Sequence, residues 1–192
     1  MTKNLIYLLI FVMIIFLFSV VDTKDFFSVK KNIYGKPLKT CELRGSPNEG
    51  SQQNDYTCSE IGGGFHQICV ENIGQGKSFS KNTGQSNWSD SKDDRNHCVC
   101  LGAWANFAAQ PGNDKKLVCT AIPETSLYPE YVKNWEELND VTINNQAQSG
   151  VNELYRQCIN PEDPAEKKYF QQLYCNLVKH PEINLKDITK SC

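Results

Sequence analysis

An unbroken apolar run, Leu5 to Val21, opens the hydrophobic pattern; beyond it short β-prone stretches alternate with polar loops, and two amphipathic helical stripes close the chain. The run's 17 residues make roughly 25 Å of helix, at the short end of what crosses a bilayer. Lys3 precedes it, as in an export signal, but Ser19, Val20, Val21 and Asp22 offer no clean small-residue cleavage pattern. Residues 1–21 are therefore read as a signal peptide or an N-terminal membrane anchor. Charge does not separate the two, because Lys24, Lys30 and Lys31 lie on the far side. Either way the remainder is expected to be extracytoplasmic, secreted or anchored by an N-terminal transmembrane segment, with membrane contact only through residues 5–21.

Residues 22–31 form a charged spacer, and an ordered domain is expected over 32–140. Arg44 to Asp55 and Asn82 to Asn96 are rich in Gly, Ser, Asn and Asp without periodicity, which predicts loops. Ile68, Val70 and Ile73 around Cys69, then His97 to Leu101, then Leu117 to Ile122, predict the strands of a short sheet. Gly102 to Gln110 predicts a helix stopped by Pro111-Gly112, and Pro123 to Leu138 a second with Pro at its first turn. From about Val141 the composition shifts, and residues 141–192 are read as a helical appendage. Val151, Leu154, Tyr155 and Cys158 make one helical stripe. Asp163-Pro164 with Glu166 starts another helix, carrying Tyr169, Phe170, Leu173, Tyr174 and Leu177. The fold class is thus α+β: a small disulfide-stabilised domain with a short sheet and flanking helices, plus a C-terminal helical hairpin.

Composition narrows the function classes. A formal charge of −2 with both signs interspersed gives no field to gather nucleic acid, and nucleic acid is not an expected partner. Gly62-Gly63-Gly64 precedes a predicted strand, not a helix, so it reads as a turn and not a phosphate cradle. No Ser-His-Asp set, nucleophile elbow or paired catalytic carboxylates stand out. No cofactor is expected.

The nine cysteines, Cys41, Cys58, Cys69, Cys98, Cys100, Cys119, Cys158, Cys175 and Cys192, all lie beyond the apolar run and are all disulfide candidates. Nine is odd, so at least one thiol is free, modified, or paired between chains as a covalent dimer. Cys158 sits at the turn of the helical hairpin while Cys175 lies about 16 Å along its second helix, so those two should not pair. Cys192 can reach back to Cys175, leaving Cys158 to face the main domain. Cys98 and Cys100 share one face of a strand, where a bond between them would be strained, so each should take a different partner. A C-x-C can be a redox-active pair, although no thioredoxin-like context accompanies it. His66, Cys69, His97, Cys98 and Cys100 together offer imidazole and thiolate ligands of the kind zinc takes, though at no standard spacing. Structural cystines beside two histidines are the simpler account.

Among other positions, Asn87-Trp88-Ser89 is a glycosylation sequon in a loop. Trp88 is either an exposed contact residue or loop packing, whereas Trp104 and Trp135 belong in the core.

Residues 32 to about 137 resemble an uncharacterised bacterial domain-of-unknown-function family whose members read N-x-x-G-x-P-L-x-x-C, H-x-V-C, F-S-x-x-x-G-N-D, W-C-L-C-x-x-x-W and A-T-H-E. The matching positions are Asn32 to Cys41, His66 to Cys69, Phe79-Ser80-Lys81 with Gly84, Cys98-Val99-Cys100 with Trp104, and Ala121 with Glu124. His97 stands where that family has Trp, Ala103 where it favours Arg, and Pro123 where it has His. The resemblance implies a small α+β domain and no known activity. It also sets His66 beside Cys69, making His66 the first choice for proton chemistry; the alternative is a histidine hydrogen-bonded within the sheet. The expected function is a non-enzymatic surface or interaction module for an unidentified protein or surface ligand. The alternative is a small thiol-redox or zinc-dependent protein using Cys98, Cys100, His66 and His97.

Overall fold

The computed structural model describes residues 30–46, 49–61, 64–189 and 192, and at its centre short strands build an antiparallel sheet. The expected signal or anchor over 1–21, and nearly all of the spacer, lie outside the described residues, as do Gly62 and Gly63. Among the described residues no helix is long and apolar enough to cross a membrane. A hairpin comes first, β1 (Ser59–Ile61) with β2 (Gly64–His66), Ser59 facing His66. The central strand is β3 (Ile68–Glu71), flanked by β4 (His97–Val99) and β5 (Lys116–Leu117). Its register sets Cys69 opposite Cys98, and Val70 between His97 and Leu117.

The run Leu117 to Ile122 was expected to be a strand, but pairing stops early. Val118 still donates its N–H to the Cys69 carbonyl at 3.0 Å; Cys119–Ala121 then forms a 3₁₀ turn that delivers Cys119 to Cys158. Downstream, the single helix expected over Pro123 to Leu138 is broken into 3₁₀ turns at Glu124–Leu127 and Pro129–Tyr131 before a short helix and a strand begin. Pro129 lacks an N–H and holds Tyr128 extended (φ −79°, ψ 141°), so no helix runs through it.

The helices are α1 (Phe79–Asn82), α2 (Leu101–Ala108), α3 (Val132–Trp135), α4 (Ala147–Cys158) and α5 (Pro164–Val178). Between α3 and α4, β6 (Glu137–Leu138) pairs with β7 (Val141–Thr142) across Asn139 and Asp140, both at positive φ (50° and 62°). Two such residues in succession suit the tight hairpin turns that match strand twist. Asp163 caps α5, its carboxylate accepting from the Ala165 N–H at 2.8 Å.

Residues 31–192 form one compact unit. Helix α2 packs against α4: the Trp104 indole donates to the Gly150 carbonyl at 3.1 Å, and a Cβ at Gly150 would come within 2.7 Å of the Ala105 backbone. Only glycine lets the two helices approach this closely. The stripe expected on α4 is the buried one (Val151, Leu154, Tyr155, Cys158), and Phe170, Tyr174 and Leu177 of α5 join it. Tyr155 stacks against Phe170 and Tyr174, with ring centroids 5.6 and 4.2 Å apart. Trp104 and Trp135 are fully buried core residues.

Eight cysteines pair as Cys41–Cys69, Cys58–Cys98, Cys119–Cys158 and Cys175–Cys192. The last is the pairing expected from the reach of the hairpin helices, and Cys158, expected to face the main domain, meets Cys119 there. With loops of 17 to 40 residues, each contributes about 3–4 kcal/mol in the chain-entropy account. The protein is therefore disulfide-stabilised, and four cystines suit an oxidising, extracellular setting. Cys100, one of the nine disulfide candidates, is the exception: its sulfur is a free thiol.

Candidate functional site

Cys100 is free because of where the strand ends. β4 stops at Val99, and Cys100 turns out of the strand as the N-cap of α2 (φ −62°, ψ 150°), its carbonyl accepting the helix's first hydrogen bond from the Trp104 N–H at 3.0 Å. Cys98, still in the strand, stays on the face it shares with Cys69. Their sulfurs go to Cys58 and Cys41. Two disulfides thus hang side by side from facing positions of the sheet, and Cys100 is in neither.

The turn brings Cys100 to a histidine. His66 closes β2, and its Nε2 lies 3.2 Å from the Cys100 Sγ. Burial pushes the Cys100 thiol above its ordinary pKa, while its own backbone N–H pulls in the opposite direction. The resting pair is accordingly a neutral thiol in hydrogen-bond contact with an imidazole. Such a contact is one way to activate a nucleophilic cysteine, since the thiolate reacts and a neighbouring base can hold its proton.

Both groups open into a pocket of about 430 Å³ that His97, Trp88, Gln85 and Lys92 also line. That volume lies within the range of small-molecule sites. His97 is 8% exposed and stacks on Trp88, with centroids 4.5 Å apart. Burial, reinforced by the charges of Lys92 and His66, drives its pKa down to about 3, so it stays a neutral imidazole. Trp88 is half-buried and packed, donating its indole N–H to the Gln85 Oε1 at 2.8 Å. Gly50, at φ +72°, closes the rim: a Cβ there would sit 3.3 Å from the His97 Nδ1.

Of the five candidate metal ligands, three meet in this pocket with their ligand atoms intact: His66, His97 and Cys100. Cys69 and Cys98 spend their sulfurs on disulfides and offer no thiolate. Among the described residues the trio with ligand atoms within 4.8 Å of one another is Cys41, Cys58 and Cys69, all three disulfide-bonded. Asn87, the sequon residue, is exposed at the pocket's outer loop. Gln85 and Lys92 escaped the sequence reading because they lie in a polar stretch without periodicity, where nothing distinguishes a lining residue from a solvated one.

No protein-family model matches the chain, and neither does any curated protein or any solved structure. The resemblance noted over residues 32 to 137 thus has no family model behind it, and function has to come from the chemistry of the pocket.

Proposed function

We propose that this is an extracytoplasmic protein acting through the thiol of Cys100, with His66 as the group that accepts its proton. The 3.2 Å contact between the Cys100 Sγ and the His66 Nε2, inside a pocket large enough for a small molecule, carries the reading. In the step it implies, the proton moves from sulfur to the His66 Nε2 and the thiolate attacks an electrophilic atom held in the pocket. The amide N–H groups at the start of α2 favour the negative sulfur. Export is supported by the position of the cysteines beyond the apolar run and by the four disulfides.

The test is alkylation of native protein by iodoacetamide, mapped by peptide mass. Cys100 should react at neutral pH, and His66→Ala should slow it about a hundredfold, the lower end of what a positioned base contributes. Equal rates in the two proteins would overturn the proposal. A second reading, a non-enzymatic surface or interaction module in which the pocket only binds, draws on the burial that raises the Cys100 pKa. A thiol that is inert in both proteins would favour it.

A further inference from the structure

We infer that the pocket selects small anionic electrophiles, holding their negative group against Lys92 and Gln85 while the reacting atom faces Cys100. The inference rests on the thiol reading and names the substrate class for that site. Among the described lining residues there is no Asp or Glu, and Lys92 is the one formal charge. Lys92 is half-buried and, among the described residues, pairs with no carboxylate. A cation in such a wall has lost part of its water without gaining a counterion, and an incoming anion supplies one.

The neighbouring polar groups favour the same sign. The Gln85 oxygen already accepts the Trp88 indole N–H, which fixes the amide and leaves its NH₂ as a donor. A neutral His97 presents one ring N–H and carries no charge to repel or attract. The Trp88 and His97 rings pack together at an interplanar angle of 31°. An acidic substrate therefore meets one cation and two neutral donor groups. A cationic substrate would meet Lys92 with nothing to balance it.

Iodoacetate and iodoacetamide test this directly, because they share one reaction and differ in charge. In each, a carbon–sulfur bond forms at the methylene carbon, the carbon–iodine bond breaks, iodide leaves with the bonding pair, and the thiol proton goes to His66. The readout is the ratio of the iodoacetate rate to the iodoacetamide rate at Cys100, with circular dichroism confirming that each variant is folded. The ratio should be about tenfold higher in the native protein than in the urea-unfolded chain. Lys92→Gln should remove that gain and Lys92→Glu should push the ratio below the unfolded value. Raising the salt to about 1 M should erase most of the preference. Ratios that are the same in wild type and Lys92→Gln would overturn the inference while leaving the thiol reading intact. Should Cys100 react with neither reagent, the thiol reading falls, and the anion site is then judged by titrating sodium acetate against the His97 ring signals in NMR. A saturable shift present in wild type and absent in Lys92→Gln supports the site, and no saturable shift in wild type overturns it.

Discussion

The sheet side and the helical side of this protein are held together by different means. On the sheet side the strands β3, β4 and β5 are only four, three and two residues long, and two disulfides hang from the facing residues Cys69 and Cys98. On the helical side α2, α4 and α5 close over Trp104, Trp135, Phe170 and Tyr174, all fully buried, while Cys119–Cys158 ties the end of α4 to the turn after β5 and Cys175–Cys192 ties the tail to α5. Cross-links let the sheet side carry loops that are mostly polar, and those loops wall the pocket. The candidate site lies on the side that carries the Cys41–Cys69 and Cys58–Cys98 disulfides.

The largest expected effect comes from attacking the packed side. Trp104→Ala removes a fully buried indole and its hydrogen bond to the Gly150 carbonyl, and should cost about 3–5 kcal/mol in urea unfolding. A loss under about 1 kcal/mol would show that the helices do not depend on that core. Next is removal of the Cys41–Cys69 bridge by Cys41→Ser with Cys69→Ser, which should cost about 3 kcal/mol and also disorder the sheet. The matching pair Cys175→Ser with Cys192→Ser closes a loop only modestly shorter, so it should cost nearly as much. Its alkylation rate at Cys100 should nevertheless stay at the wild-type value. If the first pair leaves that rate unchanged as well, the sheet disulfides are not what supports the pocket.

A pH effect follows from His97. Its folded pKa, about 3, lies below the ordinary histidine value, so between the two the unfolded chain takes up a proton that the folded protein refuses. Stability from this group is complete above about pH 6.5 and is lost as the pH falls towards 3. Between pH 7 and pH 4.5 the wild type should lose about 2 kcal/mol more than His97→Phe in paired urea titrations. Parallel losses in the two proteins would mean that His97 is hydrated in solution. The smallest effect is expected at the surface: Asp163→Ala removes the α5 cap and should cost about 1 kcal/mol. The pocket chemistry should not respond.

How much of this was legible in advance varied with the range of the interaction. The helices α4 and α5, the caps and stops, the buried tryptophans and the pairing of Cys175 with Cys192 depend on residues close in sequence, and local periodicity and reach were enough to place them. Pro123 to Leu138 was misjudged because its apolar spacing suits a helix while Pro129 forbids one midway; Asn139-Asp140 was the overlooked signal for the hairpin beyond. The candidate site was legible only as residue types. His66, His97 and Cys100 could be named, but so could Cys69 and Cys98, and no spacing rule separates the two groups.

Sequence alone therefore determined the mixed α+β class, the two C-terminal helices and the expectation of disulfides, since those follow from hydrophobic period, capping chemistry and an apolar run ahead of every cysteine. Tertiary structure decided which thiol stays free and what it meets. Cys98 and Cys100 are two residues apart, yet the strand ends between them, so one sulfur is committed to Cys58 and the other is swung to within 3.2 Å of His66. That outcome depends on where β4 stops and on a histidine 34 positions earlier in the chain, and only the folded backbone brings the two together.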